Sequence, residues 1–102
     1  MSEPYGMHVE FTAQASRADE LEALLLEAAQ GAAEVGDCLL YVVSRSLSDA
    51  DVIAVTEAWR SEAAHGESLK DPAVRALIER AMPLMAGPPK AAKLRPVGGK
   101  GL

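Results

Sequence analysis

The segment Glu57-Ala58-Trp59-Arg60-Ser61-Glu62-Ala63-Ala64-His65-Gly66-Glu67-Ser68-Leu69 concentrates the groups of this chain that can do chemistry. It holds the only tryptophan and one of the two histidines. An imidazole exchanges protons near neutral pH, so His65 suits the removal of a phenolic proton. Oxygen reacts faster with an electron-rich phenolate than with a phenol, so such a base would prepare an aromatic substrate for oxidation. The indole of Trp59 offers a flat surface for stacking on that substrate, or for stabilising a radical pair near bound oxygen. The plainer alternatives are a core tryptophan at a strand end and a surface histidine on a short amphipathic helix. Glu57 shares a strand face with Trp59 by parity. It either orients a pocket group or pairs across a hairpin with Arg45 on an exposed face, and the pairing is favoured. Tyr41 either lines the pocket and donates to a substrate oxygen, or places its hydroxyl at the rim as a β-forming residue.

Other chemistry is poorly supplied. Cys38 is the only cysteine, which excludes an internal disulfide and a zinc site of the finger type. It sits in an apolar run, where a thiol is an inert small hydrophobe more often than a nucleophile. Two histidines and scattered carboxylates make no spaced set of metal ligands. His8 instead suits an interface or a polar cavity. Gly98-Gly99-Lys100 lacks the upstream glycine, the following Ser or Thr and the helix of a phosphate loop. The net charge of −5 argues against nucleic acid or an anionic membrane as partner. Residues 16–34 carry five acids and one base, and residues 88–102 four bases and no acid. The basic end could complement the acidic helix, but two solvated faces are the stronger reading, because exposed ion pairs contribute little.

The elements that must hold these groups are legible from periodicity. Residues 5–14 alternate, with Tyr5, Met7, Val9, Phe11 and Ala13 on one face of a strand. Ser16 and Asp19 resemble a capping box at the start of a helix over 17–34. Leu21, Leu24, Leu25, Ala28, Ala29 and Ala32 form its narrow apolar stripe. Residues 38–47 and 52–59 read as strands around the turn Ser48-Asp49-Ala50-Asp51, an antiparallel hairpin. Ser61 caps a short helix to about Leu69. Asp71-Pro72 opens a further helix, with an acid at the N-cap and proline at the first helical position. Its stripe is Val74, Leu77, Ile78, Ala81, Leu84 and Met85, and Pro83 should kink or end it. Residues 90–97 suit an edge strand, and residues 98–102 a flexible tail. This order predicts an α+β fold, the ferredoxin-like β-α-β-β-α-β antiparallel sheet, as one domain over residues 1–102. Abundant alanine and few aromatics give thin layers, so subunit association is expected to add stability. No signal peptide and no membrane-spanning run is apparent, so a soluble, cytoplasmic protein is expected.

The stretch Glu57-x-Trp59, then Ser61, Glu62-Ala63-Ala64, and Asp71-Pro72-Ala73-Val74, resembles the antibiotic-biosynthesis monooxygenase domain family. The ending Pro96-Val97-Gly98-Gly99-Lys100-Gly101-Leu102 resembles a subset of it. The resemblance implies a dimeric α+β barrel in which two such sheets close face to face, with a pocket between sheet and helices in each subunit. For some members it implies oxidation of quinol- or anthrone-type phenols by molecular oxygen, without metal or flavin. The histidine that many members carry nine residues after the tryptophan is Ser68 here, and His65 lies one turn earlier. Residues three apart share a helix face, so His65 can reach the same pocket from a shifted start. Haem-degrading members carry a tryptophan at the position of Ser68 and a histidine ligand in the next helix. Residues 72–86 contain no histidine, which argues against haem.

The expectation is a homodimeric, cofactor-independent monooxygenase that oxidises a quinol or anthrone with molecular oxygen. His65 and Trp59 would be its catalytic pair, and Tyr41, Glu57 and Ser68 its substrate contacts. The alternative is a non-catalytic dimeric barrel that binds a small apolar ligand. A weaker option is a protein that only associates with a partner enzyme.

Overall fold

The computed structural model describes residues 3–102. The alternating segment forms β1 (Tyr5–Thr12), followed by α1 (Ala18–Ala33), β2 (Cys38–Arg45) and β3 (Val52–Trp59). Two helices follow, α2 (Glu62–Ser68) and α3 (Pro72–Ala81), then a 3-10 turn (Met82–Leu84) and β4 (Lys90–Leu94). The strands make one antiparallel sheet in the order β2-β3-β1-β4. This is the α+β, ferredoxin-like arrangement, with α2 and α3 both inserted between β3 and β4.

Period-two patterning decides which face the helices cover. On β3, Ile53, Val55, Glu57 and Trp59 are all buried, while Thr56 on the other face is exposed. Tyr5 and Val9 are buried on β1, whereas His8, Glu10 and Thr12 are exposed. Leu21, Leu24 and Leu25 of α1 pack with Ile53, Val55 and Leu84 to form the core, joined by Leu77 and Ala81 of α3. Leu77 and Ala81 lie four residues apart and face inward together. Ile78 sits about 100° further round the helix and is exposed. The predicted α3 stripe is therefore buried only along one of its edges.

Several boundaries differ from expectation for local reasons. The capping box at Ser16 does not form. Ser16 adopts a left-handed φ of 66°, the N-cap is Arg17, and no side chain caps the helix. Arg17 instead donates from Nε to Glu20 Oε1 at 3.0 Å. Strand β2 stops at Arg45 because Ser46 Oγ accepts from the amides of Ser48 and Asp49 and tightens the turn early. β1 leaves the sheet after Thr12, and Ala13 makes a single bridge to Met85. β4 ends before Pro96, which has no amide to donate. The two helix caps downstream form as the sequence predicts. Ser61 Oγ accepts from Ala64 N at 3.1 Å and Asp71 Oδ1 from Ala73 N at 2.8 Å.

The uncovered sheet face carries exposed Val42 and Leu94 beside the polar pair His8 Nδ1 and Thr56 Oγ1, 3.2 Å apart. Gly6 is buried on this face. A methyl group there would lie 3.3 Å from the Glu57 carbonyl oxygen and 3.4 Å from Pro96 Cγ. No helix among the described residues is long and apolar enough to cross a membrane.

Candidate functional site

Sheet register assembles the site before any helix is added. Trp59 lies between Tyr5 of β1 and Cys38 of β2, and Glu57 lies between Met7 and Tyr41. Helix α2 begins three residues after Trp59, where the Ser61 cap turns the chain back over the sheet. That reversal lays His65 across the same strands.

Glu57 is the centre of the cluster. Its side chain is 9% exposed, against 15% for His65, and Trp59 is 3% exposed. The indole Nε1 donates to Glu57 Oε1 at 2.8 Å. His65 Nε2 lies 3.4 Å from that same oxygen. Two aromatic rings hold the imidazole from other sides. The Trp59 ring meets it edge-on with centroids 5.5 Å apart, and the Tyr5 ring lies tilted at 5.4 Å. Glu57 makes no pair with Arg45, contrary to the favoured expectation. Register places Arg45 opposite Ile53, about 13 Å along the strand from Glu57 at the usual rise per residue. Arg45 instead reaches Asp19 and Glu22 of α1, both at 3.1 Å.

Burial governs the titration of the neighbouring groups, and the carboxylate adds to it. Burial pushes the Tyr41 phenol well above its ordinary range, and the Glu57 and Cys38 charges add to the shift. Tyr41 therefore keeps its proton, and its hydroxyl is available as a hydrogen-bond donor and not as a base. Burial also raises the Cys38 thiol, with a hydrogen bond from the Leu40 backbone partly offsetting it and the Glu57 charge reinforcing it. Cys38 is half-buried and unoxidised, and its raised thiol makes it a poor nucleophile. Ser68 takes a different place from the other four predicted residues. Its hydroxyl donates to the His65 carbonyl at 2.6 Å, inside its own helix. Across the rim, Lys93 Nζ of β4 lies 3.4 Å from Glu62 Oε2 of α2.

Tyr5, Met7 and Cys38 border the site but were not singled out as site residues from the sequence. Tyr5 and Met7 were legible only as the apolar face of β1. Pairing β1 with β3 would have set them beside Trp59 and Glu57, but the register was not fixed by any turn between those strands. A groove of about 520 Å³ lies elsewhere, between α1 and the end of α3, lined by Arg17, Glu20, Leu24, Glu27, Arg80 and Leu84 among others. Among the described residues, no group of three or more His, Cys, Asp or Glu side chains is arranged to hold a metal.

Fold and site together define a ferredoxin-like α+β domain with a buried carboxylate–indole–imidazole cluster at one end of its sheet. The family model for antibiotic biosynthesis monooxygenase matches residues 4–80, and the chain belongs to that family. The chain is 36% identical to a solved structure from Chloroflexus aurantiacus J-10-fl, described as a candidate antibiotic biosynthesis monooxygenase. The match covers 94% of this chain and 95% of that one, with a TM-score of 0.85. A protein from Caulobacter crescentus CB15 with the same description is 28% identical over 95% and 92% of the two chains, with a TM-score of 0.87. One from Nitrosomonas europaea, at 10% identity, covers 95% of this chain and 93% of its own at a TM-score of 0.89 and attests the fold alone. No curated protein matches the chain. Membership of the family supports a monooxygenase-like role.

Proposed function

We propose that this protein is a cofactor-independent monooxygenase acting on a quinol- or anthrone-type hydroxylated aromatic. The observation that carries the reading is the convergence of Glu57, Trp59 and His65. An imidazole held beside a carboxylate is suited to take a phenolic proton. In this reading a flat ring lies against the indole and Tyr41, and the Tyr41 phenol, which keeps its proton, donates a hydrogen bond to a substrate oxygen. Deprotonation comes first, electron transfer from phenolate to oxygen second, and collapse of the pair to a carbon–oxygen bond third. For an anthrone, the ring methylene becomes a carbonyl. One oxygen atom enters the product and the other leaves as water with the two hydrogens. The substrate supplies all four electrons, so no metal or flavin is needed.

This reading has the protein as a cytoplasmic homodimer. A second copy would cover the open sheet face, where Val42 and Leu94 are exposed, and close the barrel. The test is oxygen uptake with a panel of quinols and anthrones, using metal- and flavin-free protein. Catalysed uptake is expected, and His65→Ala should lower kcat by about 10²–10⁴-fold. Turnover that survives His65→Ala unchanged would remove His65 from the mechanism. Uptake no faster than the uncatalysed rate on every substrate counts against the activity.

The second reading is a non-catalytic barrel that binds a small apolar ligand. It is favoured by Ser68, which stands where many family members carry a histidine and whose hydroxyl is committed to the His65 carbonyl. Saturable binding of an aromatic probe, such as an anthraquinone, without oxygen uptake selects it.

A further inference from the structure

We propose that Glu57 is a positioning residue that fixes His65 as the Nε2–H tautomer, leaving Nδ1 as the atom that accepts the proton. This rests on the proposed oxidation only for its catalytic consequence, because the tautomer is a property of the resting protein. The argument is geometric. Glu57 Oε1 is held in place by the 2.8 Å bond from the Trp59 indole. It therefore presents fixed negative charge 3.4 Å from His65 Nε2. A nitrogen lone pair facing a carboxylate oxygen at that distance is repelled, whereas an N–H there is attracted. At 3.4 Å the contact is an electrostatic approach and not a formed hydrogen bond, as is common in resting sites whose hydrogen bonds form when substrate binds.

The ring has little freedom to escape this choice. Its side chain is 15% exposed, with the Trp59 ring edge-on at 5.5 Å and the Tyr5 ring at 5.4 Å. Turning the imidazole over about its Cβ–Cγ bond would put the carbon Cε1 in place of Nε2 and forfeit the approach to Glu57. No described side chain hydrogen-bonds to Nδ1, so that lone pair remains open to a ligand. Glu57 thus acts on the reaction through His65, in the way that an outer carboxylate sets the tautomer of an imidazole base.

The experiment is nitrogen-15 NMR of the full chain with labelled histidine, recorded near pH 8.5 where an ordinary imidazole is neutral. The chain has two histidines, and His8→Gln assigns the signals. The expected result is an Nε2–H tautomer for His65 in the unsubstituted protein. Glu57→Gln, whose amide can present either an oxygen or an N–H, should shift the tautomer ratio toward Nδ1–H by about fivefold. If that variant does not fold, Glu57→Asp, which withdraws the carboxylate by one methylene, should move the ratio in the same direction. A dominant Nδ1–H tautomer in the unsubstituted protein overturns the proposal. So does a ratio unchanged in a folded Glu57 variant, whatever the enzyme activity. The expected tautomers together with no oxygen uptake on any substrate would sink the oxidase reading and leave the role of Glu57 standing.

Discussion

The bond between Trp59 and Glu57 is the most exacting test of the site, because it is short, buried and sets the oxygen that His65 faces. Trp59→Phe removes the donor from the 2.8 Å contact and leaves a carboxylate that is 9% exposed without its closest partner. A hydrogen bond to a charged group contributes about 1.5–3 kcal/mol net, and a neutral one about 1 kcal/mol. Glu57→Gln keeps an acceptor oxygen for the indole but removes its charge, so it should weaken the bond by about 1 kcal/mol. In the double variant neither the charge nor the donor is present, and the two losses overlap. Its destabilisation should fall short of the sum of the single variants by about 1 kcal/mol. For a domain of this size that is a difference of roughly 4–8 °C in Tm. Urea unfolding should be followed by far-UV circular dichroism, since Trp59 is the only tryptophan and its fluorescence is lost with it. All four proteins must be compared at one concentration, because association shifts apparent stability. A coupling within about 0.3–0.5 kcal/mol of zero, the usual limit of additivity, would refute the claim that a buried carboxylate anchors the indole.

Further outcomes follow from the same geometry. Tyr41 has a raised pKa in the folded protein, so the folded state keeps a proton that the unfolded chain loses. Its contribution to stability is full below about pH 10 and declines as pH rises beyond it. Tyr41→Phe should flatten that alkaline loss in unfolding curves taken between pH 8 and pH 11. The raised Cys38 thiol should react with a disulfide reagent at pH 8 more slowly than free cysteine does, and reach the free rate in urea. Equal rates in the folded and unfolded protein would contradict the buried setting. Asp71→Ala removes the acceptor of the 2.8 Å bond from Ala73 N and should lower stability by about 1 kcal/mol in chemical unfolding. Gly6→Ala places a methyl 3.3 Å from a backbone oxygen that cannot move freely. It should cost about 1–3 kcal/mol, and an unchanged Tm would show that the sheet yields there.

The sequence by itself determined the element order, because it depends on local periodicity and local caps. The alternation of β1, the parity of Ile53, Val55, Glu57 and Trp59, and the caps at Ser61 and Asp71 all act within a few residues. Where a local signal had a tertiary competitor it failed. Ser16 could cap α1 by type and spacing, but the turn joining Gln14 to Arg17 holds it in a left-handed conformation. The site divides in the same way. Trp59 and Glu57 share a face through strand parity, and His65 is brought back by a cap three residues beyond the strand. What they touch depended on register. The β2–β3 hairpin put Tyr41 opposite Glu57 and Arg45 opposite Ile53, and the pairing of β1 with β3, which no hairpin turn joins, set Met7 beside Glu57 and Tyr5 beside Trp59. Only the tertiary structure could decide that the carboxylate faces an indole and an imidazole instead of a guanidinium, because that needs α2 folded back over the sheet and Arg45 drawn to Asp19 and Glu22 of α1, which lies far from it in the chain.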